Sequence, residues 1–134
     1  MPVSRNELCT QLLRYAIVGG LAVAIDAGVY FGLISWGLAE PAWAKRISFV
    51  TGAAWGFFAN KFFTFDQRLF SVREPVLFTF VYLLGWFLNS LIHDGVLRLA
   101  GLKWLAFLLA TGVSTCTNFA GQKWIVFRAR RPPA

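Results

Sequence analysis

The chain has 134 residues, 57% of them hydrophobic and only 14% charged, with six Trp and fourteen Phe. A soluble domain carries about 25% charged residues, so an ordinary water-soluble domain is excluded. The net charge of +7 does not indicate nucleic acid. The cations lie between and beside apolar runs, where they act as topology and headgroup signals.

The first element is the run from Leu12 to Leu38, LLRYAIVGGLAVAIDAGVYFGLISWGL. A bilayer takes about 20 helical residues at 1.5 Å each, so this run suffices to span one. It is too long for the apolar region of a cleavable signal and contains Asp26. A carboxylate at that depth costs several kcal/mol and usually faces a partner or a polar cavity.

Further spans follow, giving four at about 12–38, 43–65, 75–100 and 104–127. Glu40-Pro41 breaks the first pair and Gly101-Leu102-Lys103 the second. Each pair therefore reads as a helical hairpin. Asp66 to Pro75, DQRLFSVREP, forms the one clearly polar connection. The expected fold is all-α: an integral membrane four-helix bundle, one domain over residues 1–134.

Positive residues set the orientation. Arg5, Arg14, Lys61, Arg68, Arg73, Lys123, Arg128, Arg130 and Arg131 share the side that holds both termini. Lys45, Arg46, Arg98 and Lys103 lie opposite. Nine against four places both termini in the cytoplasm. The terminal RARRPPA reads as a headgroup-bound tail or a stop-transfer cluster.

An internal repeat closes each hairpin. Asn60-Lys61-Phe62-Phe63-Thr64-Phe65 ends span two, and Gln122-Lys123-Trp124-Ile125-Val126-Phe127 ends span four. Both read amide, Lys, aromatic, two further residues, Phe. Two such units beginning and ending on one side make a parallel duplication.

Polar or small residues line each span at helical spacing. They are Tyr15, Gly19, Asp26 and Tyr30; Gly52, Gly56 and Asn60; Tyr82, Trp86, Asn89 and His93; and Thr111, Thr115, Asn118 and Gln122, with Ser114 beside them. Packing explains the Gly and Thr positions, which are ordinary glue between membrane helices. For Asn60, Asn89 and Asn118 a structural and a substrate-contacting role stand side by side, whereas Asp26 points to function. Asp94 and Arg98 have the spacing of an i, i+4 ion pair, and His93 is a titrating group or simply a polar boundary residue. Lys61 and Lys123 either snorkel to headgroups or form, with Arg14, a cationic mouth for a lipid phosphate.

Enzymatic chemistry is not expected. The single His removes most His-based triads and metal sites, no phosphate-binding glycine loop is present, and no cofactor is implied. Cys9 and Cys116 suggest neither a disulfide nor a metal cluster.

Arg14-Tyr15-Ala16-Ile17-Val18-Gly19-Gly20, Asn60-Lys61-Phe62-Phe63-Thr64-Phe65, and Asn118 with Lys123-Trp124-Ile125-Val126-Phe127 resemble the GtrA-like family of small four-span membrane proteins. The resemblance covers roughly residues 10 to 128. It implies movement of a polyprenyl-phosphate-linked monosaccharide, such as undecaprenyl-phosphate glucose, between the leaflets of the inner membrane for cell-envelope polysaccharide. A separate glycosyltransferase would supply the lipid.

On that expectation Arg14, Lys61 and Lys123 capture the phosphate. Asp26, Asn60, Asn89 and Asn118 contact the sugar or shape its path. Tyr15, Trp55, Tyr82, Trp86, His93, Asp94, Arg98 and Gln122 are secondary candidates. Four helices enclose little volume, so a homodimer or larger assembly is expected. A scaffold that recruits a glycosyltransferase and a small proton-coupled exporter are the competing readings.

Overall fold

The computed structural model describes residues 4–128, apart from the side chains of Pro41, Ala42, Lys45 and Phe107. Most of the RARRPPA tail and the Lys45 side chain therefore lie outside the described residues. Four α-helices follow in order: α1 (Arg5–Ser35), α2 (Pro41–Ala59), α3 (Arg73–Ala100) and α4 (Lys103–Gly121). A five-residue π-helical turn extends α2 (Asn60–Thr64), and another extends α4 (Gln122–Val126). No strand occurs among the described residues.

Local chemistry explains the boundaries. The Ser4 hydroxyl accepts the Glu7 amide at 3.1 Å, and Ser-x-x-Glu is a capping-box sequence. Helix α1 consequently starts at Arg5, seven residues before the expected apolar span. At its far end Gly37 has φ +64°, with Gly37 N–H to Ile34 O at 3.0 Å and Leu38 N–H to Leu33 O at 2.9 Å. This is the Schellman arrangement, which needs the left-handed residue that glycine supplies without steric cost. Pro41 opens α2, where its missing N–H costs nothing. Helix α3 takes in Arg73, Glu74 and Pro75, which the sequence alone assigned to the connection, and ends at Gly101 with φ +66°.

The chain forms two compact units, residues 1–68 and 69–134, each a helical hairpin. In the first, α1 packs on α2 and its π-turn; in the second, α3 packs on α4 and its π-turn. Both repeat the order long helix, left-handed glycine, shorter helix, π-turn. Burial repeats too, at an offset of 62 residues. Ala44 pairs with Ala106, Phe57 with Phe119, Asn60 with Gln122, Lys61 with Lys123 and Phe65 with Phe127, and every one of them is buried.

Polarity is inverted relative to a soluble protein. Ser48, Asn60, Lys61, Thr64, Glu74, Gln122 and Lys123 are buried, whereas Leu13, Val23, Phe31, Phe80, Trp86 and Leu108 are exposed. Large exposed apolar side chains on this scale suit contact with hydrocarbon. Helices α1 and α3 are each long and apolar enough to cross a membrane. Helices α2 and α4 are shorter, at 19 residues each before their π-turns.

Candidate functional site

Each π-turn gathers the amide and lysine of the repeated motif. A π-turn pairs each N–H with the carbonyl five residues back, as Phe65 N–H does with Asn60 O (2.9 Å) and Phe127 N–H with Gln122 O (2.8 Å). Such turns are rare and recur at functional positions. Here the wider winding brings three residues of one turn inward together: Asn60, Lys61 and Thr64 in the first hairpin, Gln122, Lys123 and Val126 in the second.

In the first hairpin the Thr64 hydroxyl donates to Asn60 Oδ1 at 2.8 Å. Lys61 is 0% exposed and its Nζ lies 5.7 Å from the Phe62 ring centroid. Arg14, from α1, donates through Nη1 to Phe63 O at 3.1 Å and stands 5.2 Å over the Phe63 ring. The helix end leaves that carbonyl without an intrahelical partner, and a cation there also complements the helix dipole. Arg14 thereby reaches the π-turn that carries Asn60 and Lys61. Beside it runs a wholly apolar groove of about 480 Å³, with Ile17, Leu21, Trp55, Phe58 and Phe62 among its walls. Trp55 is anchored by its indole N–H to Val18 O at 3.3 Å.

Asp26 lies twelve residues further along α1, about 18 Å away at 1.5 Å per residue. It sits half-buried against Gly52, where a Cβ would meet Ala22 O at 3.2 Å. Of the small-residue line in α2, only Gly52 serves this close approach; Gly56, like Gly19 of α1, has open space.

The second hairpin carries the matching levels. Gln122 and Lys123 are 1% and 8% exposed, and Lys123 Nζ lies 5.9 Å from the Trp124 ring. Asn118 covers Gly85 so closely that a Cβ there would overlap its side-chain amide. Its Oδ1 is buried and accepts no hydrogen bond. Asn89 donates to Ser114 Oγ at 3.1 Å. Asn89 and Ser114 stand at offsets of 63 and 62 from Asp26 and Gly52, so an amide–hydroxyl pair occupies the level where the first hairpin has its carboxylate.

Several expectations are corrected. Of the two readings of Lys61 and Lys123, snorkelling to headgroups does not hold, because both side chains are buried. The Asp94–Arg98 pair does not form. The Asp94 carboxylate instead lies 3.2 Å from His93 Nδ1, since the adjacent side chains meet at the exposed end of α3. Trp86 is 67% exposed and faces away from the Phe78–Val81–Gly85 packing line, so it does not join Tyr82 and Asn89. Thr111 and Thr115 are exposed, while Ala106, Ala110, Ser114 and Asn118 follow the face turned to α3. Tyr15 is half-buried on α1, and Tyr82 stacks on Phe78 at 5.4 Å.

Thr64, Gly85 and Glu74 were not singled out from sequence. In sequence Glu74 falls within the polar connection, and only the start of α3 at Arg73 makes it a first-turn, buried residue. Thr64 lay inside the repeated motif, but nothing in its spacing announced a π-turn.

Among the described residues no three His, Cys, Asp or Glu side chains gather as a metal-binding group. The clustered chemistry is cationic and amide-rich, next to apolar walls, which suits an amphiphile with an anionic head. The model of the GtrA/DPMS transmembrane domain matches residues 14–127, from Arg14 to the Phe127 that ends the second repeat. The chain belongs to this family of membrane domains and takes part in the handling of glycosyl lipids in membranes.

Proposed function

We propose that the protein moves a polyprenyl-phosphate-linked monosaccharide from the inner to the outer leaflet of the cytoplasmic membrane, for cell-surface polysaccharide. The lipid is carried without any bond being made or broken. A sugar phosphate cannot cross hydrocarbon unaided, because its charge and hydroxyls would lose their hydrogen bonds. A transporter must replace that hydration while the prenyl chain stays in lipid.

The repeated π-turn with a buried lysine is the observation that supports this reading best. It holds ammonium groups inside the protein envelope instead of among bulk headgroups, so a phosphate drawn to them has left the headgroup layer. Arg14, with five N–H donors and one of them spent on Phe63 O, retains donors for phosphate oxygens. The apolar groove beside Arg14 offers a path for the isoprenoid chain. Asp26 and Asn60 in the first hairpin, and Asn89 and Asn118 in the second, each offer acceptors or donors for sugar hydroxyls within their own hairpin. On this reading all four helices span the membrane, both termini are cytoplasmic, and a homodimer completes the path. Movement follows the lipid gradient or a proton gradient.

Flipping of defined polyprenyl-phosphate sugars by purified protein in proteoliposomes tests the proposal. Wild type is expected to accelerate it, and Asp26→Asn and Lys61→Ala to slow it at least about tenfold, the loss of one charge-assisted contact. Unchanged flipping in both variants would sink the residue assignment. A wild-type protein that flips nothing, yet whose deletion lowers a partner glycosyltransferase's abundance, would establish the scaffold instead.

A further inference from the structure

We propose that the second hairpin holds a glycosyl-phosphate headgroup site of its own, in the cavity formed where α3 begins and the second π-turn ends. The cavity measures about 370 Å³ and is lined by Arg73, Glu74, Leu77, Trp124, Val126 and Arg128, with Ile125 completing the wall. That volume falls within the usual range of small-molecule pockets, about 300–1,000 Å³.

Its chemistry selects a headgroup that carries both phosphate and hydroxyls. Two guanidiniums, Arg73 and Arg128, enter from the first turn of α3 and from just past the π-turn. Guanidinium forks match phosphate oxygens in pairs, and the amino end of a long helix adds favourable potential for an anion. Glu74, 6% exposed and already engaged within the protein, also lines the cavity. A carboxylate repels a bare phosphate but accepts hydrogen bonds from hydroxyls, and its several lone pairs allow it to do so beside another partner. Trp124 presents an indole of the kind that sits at membrane interfaces and offers a flat face to a ring. A phosphate alone is served by the arginines only; a sugar phosphate is served by all four residues.

The cavity does not follow from the duplicated scaffold. Subtracting 63 in the first helix and 62 in the second maps Arg73, Glu74, Leu77, Trp124 and Arg128 onto Thr10, Gln11, Arg14, Phe62 and Asp66. In the first hairpin the cation is Arg14, spent partly on a helix-end carbonyl, and the position of Arg128 holds Asp66, which pairs with Arg68 at 3.1 Å. The guanidinium–carboxylate–indole combination belongs to the second hairpin only.

The site rests on the glycosyl-lipid reading above and adds a place where the headgroup docks. The full chain in phosphatidylcholine nanodiscs is titrated with a polyprenyl-phosphate hexose, the same lipid without hexose, phosphatidylglycerol and free hexose 1-phosphate, with bound lipid counted by native mass spectrometry. The glycosylated lipid is expected to bind most tightly, and R73Q with R128Q to weaken it at least about tenfold. Both arginines are exposed, so the double variant leaves the packing of the hairpin intact. Glu74→Gln is expected to narrow the preference for the lipid bearing hexose. Unaltered binding in the double arginine variant, or equal binding of phosphatidylglycerol or free hexose 1-phosphate, would overturn the site. Loss of flipping in wild type with arginine-dependent binding retained would instead refute the transport reading alone.

Discussion

Asn118 and Gly85 show how a single missing methyl group fixes a polar side chain at depth. The amide lies where a Cβ of residue 85 would stand, and its Oδ1 is buried with no hydrogen bond. Gly85→Ala is therefore expected to push Asn118 aside and part α3 from α4, at about 1–3 kcal/mol, the usual cost of overpacking. Thermal unfolding in detergent checks this, with Gly56→Ala as the control expected to hold or slightly raise the midpoint, because a Cβ there meets nothing and alanine favours the helix. The sequence discloses neither fact: Gly52 and Gly56 read alike as small residues on one helix face, and nothing in the spacing marks Gly85. Buried lysines belong to the same scale. A lysine next to an aromatic at a helix end reads equally as a snorkelling or a phosphate-binding residue, and Lys61, on the π-turn, is 0% exposed.

At the scale of elements, helix ends carry the clearest signals. Ser4-x-x-Glu7 announces the start of α1, and its hydrogen bond to the Glu7 amide realises it. Gly37 and Gly101 mark both hairpin turns by their positive φ. Gly37→Ala forces a left-handed alanine and is expected to cost about 1 kcal/mol, read as a lowered unfolding midpoint, whereas Gly32→Ala within α1 meets no neighbour and raises it slightly. The π-turns themselves were not legible. The NKFFTF and QKWIVF motifs look like continuing helix, because a five-back hydrogen bond leaves no mark on apolar periodicity.

Across the whole molecule, the duplication unites these details. Two hairpins share the order of their elements, their turn glycines, their π-turns and their buried positions, while their chemistry diverges. The first hairpin has Arg14, Asp26 and an apolar groove; the second has Asn89 with Ser114 and the arginine-lined cavity. Orientation belongs to this scale as well. Cys9 lies before the apolar part of α1, Cys116 lies on α4, and both are exposed on the protein surface. With both termini cytoplasmic, a membrane-impermeant maleimide should label Cys9 in inverted vesicles and not in intact cells, and should leave Cys116, facing lipid, unlabelled in both. Labelling of Cys9 from outside the cell would reverse the proposed topology.

Composition and apolar run length by themselves determined that this is an all-helical membrane protein, because hydrocarbon tolerates only chains that satisfy their own backbone hydrogen bonds. The order and spacing of short motifs likewise determined the family and the two-hairpin repeat. Which polar residues meet was decided only in three dimensions. Arg14 reaches Phe63 across 49 positions of sequence, Asn89 reaches Ser114, and Asp94 turns to His93 instead of Arg98. Helical periodicity specifies a face to within a broad arc, whereas a hydrogen bond needs atoms about 3 Å apart, and the winding of a π-turn or the absence of one Cβ sets that distance.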